Sequence, residues 1–273
     1  MINFMKNLGL VTLVLLIVAC NNNTSEKLVL TGSSTVAPLI MEIAHRFEQR
    51  NPNSRIDVQT GGSSRGINDI RKGLSDIGMV SRSLISSEQT LVAHVIAWDG
   101  ITTILHQDNP VKALSRAQVR AIYKGEINNW KQVGGIDADI VVVHKAEGRS
   151  TLALFLKYFS LANKDVKADI IVGDNQQGLK TVEGNPLAIG YVSIGAAAYE
   201  KINGAGIKLL AIDNIEATLA NVEKGIFPIA RPLNLVTQKN VSPLAKRFIA
   251  YAQSAEVIDL IKQQFFIANH AKK

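Results

Sequence analysis

Sulfur-containing and aromatic side chains are scarce in this sequence. Its 273 residues include one cysteine, five histidines and 5% aromatic residues. A single cysteine excludes an intrachain disulfide, and the scattered histidines lack the spacing of metal ligands. Basic residues are not interleaved with aromatic ones, as a nucleic-acid-binding face requires. Neither a Walker loop nor a Rossmann motif occurs, so we expect no cofactor, no metal and no nucleic acid partner.

The composition that remains is that of a globular protein with a basic excess. Apolar residues make up 47% of the chain, which is enough for a full core in one or two domains. The formal net charge is +7. This charge favours anionic partners without identifying one.

The N-terminal end resembles an export signal. Lys6 precedes an apolar run over residues 8–19, and this run is shorter than the about 20 residues of a membrane-spanning helix. It ends in IVAC at Cys20, which resembles a bacterial lipobox. We interpret residues 1–19 as a signal peptide and residues 20–27 as a lipidated cysteine with its polar tether. This predicts an exported protein, anchored through Cys20 at the cell envelope, either in a periplasm or on the outer face of the cell membrane.

Strand-like and helix-like patterns alternate along the rest of the chain. Short β-rich runs occupy residues 28–30, 56–59, 77–80 and 140–143. Apolar residues with helical spacing follow Thr35, Gly66 and Thr151, and the second of these patterns includes Leu74. Ser115 opens a further helix with a capping box, and Ser242 opens the C-terminal one. The alternation predicts an α/β protein.

Three turns rich in glycine and hydroxyl residues each join a predicted strand to a predicted helix. They read GSST from Gly32, GGSSRG from Gly61 and EGRST from Glu147. Helix starts leave amide groups unpaired and carry partial positive charge, so such turns can bind anions. A single turn of this kind is more simply explained by helix capping. Three of them at strand ends, which face a shared crevice in open α/β sheets, predict an anion site.

Five segments resemble the PstS-like phosphate-binding proteins of bacterial ABC importers. They read LTGSSTVAPL, TGGSSRGINDIRKGLSDIGMVSR, DGITTILHQDNPV, LSRAQVRAIYKGEINNW and LAIGYVSIGA. The resemblance implies a type II periplasmic binding protein of α/β class, with two lobes, each a mixed sheet flanked by helices, and a two-strand hinge. It also implies that a monomer without enzymatic activity captures phosphate by hinge closure and delivers it to an ABC permease.

The resemblance further implies how the chain is divided. Lobe one is expected to hold residues 28–103 and 234–273, and lobe two residues 104–233. Residues 101–105 are expected to cross to lobe two, and residues 231–236 to return.

Candidate anion ligands follow from the same resemblance, position by position. Ser81 stands where family members often carry an aspartate that accepts the proton of hydrogen phosphate. In the third turn Gly148 and Thr151 match the family, whereas Lys145 replaces an arginine and Arg149-Ser150 replaces Ser-Gly. The candidates are Ser34, Thr35, the amide of Val36, Ser63, Ser81, Arg82, Gly148, Arg149, Ser150 and Thr151, with Ser33, Lys145 and Glu147 as further candidates.

Because the family aspartate is absent, anions other than phosphate remain possible ligands. A protonated anion needs an acceptor, so serine at position 81 weakens the argument for phosphate over sulfate, arsenate or molybdate. Glu147, Asp57, Asp76 or a backbone carbonyl are the remaining candidate acceptors. An anion-occupied sensor or adhesion protein fits the same fold.

An α/β serine hydrolase is a further alternative to a binding protein. GSSRG satisfies G-x-S-x-G with Ser64 as nucleophile, and that triad needs a later histidine. The available ones are His94, His106, His144 and His270.

Overall fold

A computed structural model describes residues 25–269, and every element below lies in this range. The predicted signal peptide, the lipidation of Cys20 and most of the tether lie outside the described residues. The last two tether positions, 26 and 27, belong to the first strand. No helix in the described range is long and apolar enough to cross a membrane.

Residues 25–269 form twelve β-strands and nine α-helices. The strands are β1 (Glu26–Gly32), β2 (Ser54–Thr60), β3 (Ile77–Val80), β4 (Val92–His106), β5 (Ala113–Leu114), β6 (Val141–Lys145), β7 (Ile170–Val172), β8 (Ala188–Ser193), β9 (Ile207–Leu209), β10 (Ala211–Ile212), β11 (Ala230–Thr237) and β12 (Ile267–Ala268). The helices are α1 (Ala37–Arg50), α2 (Ser63–Arg71), α3 (Arg116–Tyr123), α4 (Ser150–Phe159), α5 (Asn175–Glu183), α6 (Ile194–Ile202), α7 (Leu219–Glu223), α8 (Pro243–Ala252) and α9 (Ile258–Gln263).

One long strand, β4, connects the two halves of the molecule. The main sheet has the order β2-β1-β3-β11-β4-β8-β6-β7, and β9 and β12 also pair with β4. Up to Gly100, β4 pairs with β11, and from Ile101 it pairs with β8. β11 pairs with β4 from Ala230 onward and with β3 from Asn234 to Val236. We therefore call residues 25–100 with 230–269 lobe one, and residues 101–229 lobe two.

Each lobe has its own apolar core. In lobe one, Leu39, Ile43 and Phe47 of α1 pack with α8 and α9 against the sheet. Lobe two is filled by aromatic residues, among them Phe155 and Tyr191, whose ring centroids are 3.8 Å apart. Because each core holds its helices firmly against its strands, the strand-to-helix turns of both lobes have fixed positions.

Most elements predicted from the pattern are present, but one helix is shifted. α2 begins at Ser63, before Gly66, and ends at Arg71. Gly73, with φ of +66°, ends it in a Schellman turn in which the Leu74 amide donates to the Asp69 carbonyl at 2.8 Å. The prediction that Leu74 continues the apolar face is wrong, since this side chain is 65% exposed.

Candidate anion-binding site

The second and third glycine-rich turns touch each other where the lobes meet. The amide of Ser64 in lobe one donates to the carbonyl of Gly148 in lobe two at 3.1 Å. A Cβ atom added to Gly62 would lie 2.9 Å from the same carbonyl oxygen and 2.9 Å from Cδ of Arg149. Glycine at position 62 therefore allows the two backbones to approach.

The helices that start at the three turns lack the side-chain caps found elsewhere. No side chain caps the first amides of α1, α2 or α4. Five other helices of residues 25–269 have such a cap, from Ser115, Asp174, Ser193, Thr218 and Ser242. Helix capping therefore does not explain the hydroxyl residues of the second and third turns, whereas in the first turn Ser33 Oγ accepts from backbone amides before α1. Their helix starts retain the partial positive charge that attracts an anion.

The guanidinium group of Arg231, in β11, lies at the centre of the contact between lobes. Its Nη1 donates to Ser81 Oγ at 3.2 Å and to Thr151 Oγ1 at 3.1 Å. Its Nη2 donates to Thr35 Oγ1 at 3.2 Å. Arg231 is 1% exposed and bridges hydroxyl groups from both lobes.

Asp99, in β4, holds this guanidinium in place. Its Oδ2 accepts from Nε of Arg231 at 3.0 Å and from Nη2 at 2.8 Å. Its Oδ1 accepts from the Gly195 amide at 3.1 Å. Both charged side chains are fully buried. The carboxylate is therefore occupied, and the pair contributes no net charge to the site.

Two polar atoms of the third turn are buried without a hydrogen-bond partner among the described residues. They are Nε of Arg149 and Oγ of Ser150. A buried polar atom left unpaired costs about 1–3 kcal/mol, so such atoms need an explanation. Both lie beside Thr151, which already contacts Arg231. An anion bound between the turns would satisfy both.

Lys145 places a third cationic side chain close to the site. It is 4% exposed, and its Nζ donates to the Asp174 carbonyl. The pKa of Lys145 is lowered to about 7, mainly by burial, and the positive charges of Arg149 and Arg231 contribute to this lowering against the opposing charge of Asp174. At neutral pH this side chain is therefore partly uncharged. A bound anion would favour its protonated form.

This pKa predicts a pH dependence of stability. The unfolded chain keeps Lys145 protonated up to the usual value of 10.5, whereas the folded protein releases that proton near 7. Between these limits the unfolded state binds more protons, so the free energy of unfolding rises with pH, by at most about 1.4 kcal/mol per pH unit. Urea unfolding between about pH 7 and pH 9 should show this rise in the unaltered protein but not in Lys145→Met. The exposed Lys180→Met is the control, and parallel curves for all three proteins would contradict the assignment.

In the first turn, Ser33 organises the backbone. Its Oγ accepts from the amides of Thr35 at 3.2 Å and Val36 at 3.4 Å, and donates to Ser81 Oγ at 3.0 Å. The Val36 amide, expected to meet the anion, is thus bonded within its own turn. Ser63 Oγ accepts from the Ser81 amide at 3.2 Å. Ser34 lines the cleft beside the turn.

Two expected ligands lie away from this cluster. The guanidinium of Arg82 forms a two-bond ion pair with Glu88, at 2.6 and 2.8 Å, so its donors are already engaged. Glu147 is exposed and accepts from Asn163 Nδ2 at 3.2 Å. The structure therefore corrects both assignments, including that of Glu147 as the proton acceptor.

The other carboxylates considered as acceptors are also engaged elsewhere. Asp76 accepts from the Val29 amide at 2.8 Å, and Asp57 lies 3.5 Å from Nζ of Lys27. The carboxylate that the structure brings to the cluster is Asp99, and Arg231 occupies it.

Sequence reasoning missed Arg231 and Asp99 as site residues. A usable signal was present, because each is a lone charge within an apolar strand, in IARPLNLV and AWDGITTIL. Charged residues are almost never fully buried unless they are paired. Two isolated charges in hinge strands therefore indicate an internal ion pair.

The histidines bond to residues other than Ser64. His94 contacts Thr237, and His144 contacts Asn163 and Tyr191. His106 lies near Asp108, and His270 is outside the described residues. No serine–histidine pair of a hydrolase is formed within residues 25–269.

The chain forms an α/β fold of two lobes, with hydroxyl groups of both lobes around the buried guanidinium of Arg231. This arrangement defines the class of two-lobed solute-binding proteins. The sequence matches the model of the PBP superfamily domain over residues 19–256. The phosphate-binding protein PstS of Bacillus subtilis is 30% identical over 239 residues, which cover 85% of this chain and 77% of that protein. PstS of Borreliella burgdorferi is 28% identical, over 91% of this chain and 92% of that protein.

Solved structures agree with these relatives. A Clostridium perfringens protein, assigned as a phosphate ABC transporter substrate-binding protein and solved with bound phosphate, has a TM-score of 0.83 at 32% identity, covering 89% of this chain and 99% of that one. An ABC-type phosphate transport receptor from Vibrio cholerae has a TM-score of 0.73 at 33% identity, covering 88% and 99%. The chain therefore belongs to the PBP superfamily and, within it, to the PstS-like phosphate-binding proteins.

This membership confirms the family and the two-lobed fold inferred from the five segments. Proteins of this family are exported and act by binding rather than by catalysis. The chain is accordingly an exported, non-enzymatic binding protein.

Proposed function

We propose that this protein captures phosphate between its two lobes and delivers it to the permease of an ABC importer. The observation that carries the proposal is the buried guanidinium of Arg231, which donates to hydroxyl groups of both lobes. Because Asp99 and these hydroxyl groups engage all five N–H groups of Arg231, the hydroxyl protons stay free, and hydroxyl donors of both lobes around one point suit a tetrahedral oxyanion. The names of the Bacillus and Clostridium proteins support phosphate as that anion.

The charges around the site fit a divalent anion. Arg231 and Asp99 cancel each other, which leaves Arg149 and the titrating Lys145 as the uncompensated cations. Together they supply up to two positive charges. Anion binding should therefore be accompanied by proton uptake at Lys145 above neutral pH.

Capture proceeds by closure of the hinge. In the open form, lobe one offers the hydroxyl groups of Thr35, Ser63 and Ser81. Closure adds the donors of Arg149 and Thr151 and expels water, which strengthens each charge-assisted hydrogen bond. The permease then recognises the closed shape.

We also propose how the protein is attached to the membrane and that it acts as a single chain. The mature protein is a monomer held at the membrane by a lipid on Cys20. Such an anchor keeps the binding protein close to the permease and raises its effective concentration there.

Calorimetric titration tests the proposed ligand. The purified protein is unfolded and refolded to remove bound anion, then titrated with phosphate and with sulfate at neutral pH. Phosphate is expected to bind. Comparable binding of sulfate would mean that the site accepts tetrahedral oxyanions in general. The site would then lack an acceptor for the proton of hydrogen phosphate, because Asp99 is paired with Arg231 and Ser81 replaces the family aspartate. Absence of heat with both anions would overturn the proposal.

Loss of single hydroxyl donors should weaken binding in both lobes. Thr151→Val and Ser63→Ala are each expected to cost about 1–3 kcal/mol of binding free energy, since each removes a group from a desolvated anion. Thr103→Val is a matched control, because that hydroxyl is buried in β4 without a partner. The same titration measures all three variants. Unchanged affinity in both site variants would exclude an anion at these turns.

A further inference from the structure

Asn175 is a site residue that neither the turns nor the resemblance indicated. It is the first residue of α5 in lobe two, and its side chain is 6% exposed. Its Nδ2 donates to Thr35 Oγ1, in lobe one, at 3.0 Å. The helix start is fixed by Asp174, whose Oδ1 accepts from the Gln177 amide at 2.9 Å. The amide of Asn175 is thus held rigidly against the first turn.

The contact with Asn175 determines which way the hydroxyl group of Thr35 donates. A hydroxyl group has two acceptor sites and one proton. Thr35 Oγ1 accepts from Asn175 Nδ2 and from Arg231 Nη2, at 3.0 and 3.2 Å. Both of its acceptor sites are therefore filled, and its proton is left to be donated. The neighbouring hydroxyl of Ser81 has the same arrangement, since it accepts from Ser33 and from Arg231.

The two groups that donate to Thr35 Oγ1 come from different lobes. Arg231 lies in lobe one, as Thr35 does, and is paired with Asp99 of the same lobe. Asn175 belongs to lobe two and reaches Thr35 across the boundary between lobes. Its contact therefore requires closure.

The contact also borders the entrance to the site. A cleft of about 360 Å³ between α1 and the starts of α5 and α6 includes both Thr35 and Asn175 in its lining. The hydrogen bond between Asn175 and Thr35 therefore lies at the wall of this cleft. A smaller side chain at position 175 would admit water to the Thr35 hydroxyl.

We infer that Asn175 is a positioning residue of the anion site, which fixes the Thr35 hydroxyl as a donor when the lobes close. The inference rests on the proposed function. The contact between Asn175 and Thr35 forms in the closed state. Loss of the Asn175 side chain should therefore raise the rate of anion release more than it lowers the rate of capture.

Stopped-flow measurement of inorganic phosphate binding tests this role in Asn175→Ala and Asn175→Asp. In Asn175→Ala the dissociation rate should rise about tenfold, as for one lost hydrogen bond, with the association rate within about twofold. Asn175→Asp keeps the shape of the side chain but offers only acceptors. Its carboxylate would accept the hydrogen bond of the Thr35 hydroxyl, which then no longer donates to the anion, and its negative charge would repel the anion. Its affinity should fall at least about a hundredfold. Gln176→Ala is the control, because that side chain pairs with Glu200 at the surface.

A double variant separates positioning from a general structural effect. If Asn175 acts through Thr35, then Thr35→Val with Asn175→Ala should bind phosphate no more weakly than Thr35→Val alone. Additive losses, or an Asn175→Ala variant that behaves like Gln176→Ala, would overturn the inference while leaving phosphate binding intact. Absence of phosphate binding by the unaltered protein would overturn the proposed function as well, so the two failures are distinguishable.

Discussion

Replacement of Arg231 by methionine should remove anion binding and destabilise the fold together. Arg231 and Asp99 are both 0% exposed at their side chains. Methionine leaves the Asp99 carboxylate buried and unpaired, which costs about 3–5 kcal/mol of the free energy of unfolding. Binding should weaken by at least about 3 kcal/mol, because the hydroxyl donors of both lobes lose the guanidinium that orients them. Urea unfolding without anion and calorimetric titration with phosphate measure the two effects.

A second substitution separates these effects. Asp99→Asn combined with Arg231→Met removes both charges, and the new amide oxygen still accepts from Gly195, as Oδ1 of Asp99 does. Much of the lost stability should return in this double variant, since a buried ion pair adds little net stability. Phosphate binding should not return. Recovery of binding would mean that Arg231 supports the fold without orienting the hydroxyl groups of the site.

Gly62→Ala should prevent the lobes from closing. The added methyl group would lie 2.9 Å from the Gly148 carbonyl oxygen and 2.9 Å from Cδ of Arg149, both in lobe two. Position 62 also has φ of +93°, so alanine adds about 1–3 kcal/mol of backbone strain. Without closure the anion loses the donors of lobe two, which should weaken binding by at least about 3 kcal/mol.

Gly73→Ala provides the matched control for backbone strain. Its φ is +66°, and a Cβ atom there would meet no atom within 4 Å. Both variants should lose stability, but Gly73→Ala should keep its affinity. X-ray scattering with excess phosphate should show Gly62→Ala in a more extended form than the control. Equal scattering and equal affinity would indicate that the turns do not need to touch.

Local pattern was sufficient for the strand-to-helix turns and for much of the fold. The apolar period after Thr35 gives α1, and the capping box at Ser115 gives the start of α3. These features depend on residues three or four positions apart, and such short-range geometry is set by the backbone itself. Leu74 was misjudged because the glycine before it ends the helix, which the apolar period does not register.

The charged side chains were predicted less well than the hydroxyl turns. Arg82 and Arg149 are alike in sequence, since each stands next to a serine that was a candidate anion ligand. Glu88 engages Arg82, whereas Arg149 keeps a buried Nε without a partner. Long side chains reach several ångströms from the backbone, so the partner available in the fold decides their direction.

The sequence by itself determined three glycine- and hydroxyl-rich turns suited to an anion, and its resemblance to the PstS-like family implied a two-lobed binding protein. Only the tertiary structure brought Arg231, Asp99 and Asn175 into contact with the hydroxyl groups of these turns and with one another. The contacts of Arg231 with Thr151 and Thr35 span 80 and 196 positions of the chain. No local pattern encodes such contacts, because they form only when the folded chain brings together segments that are far apart in sequence.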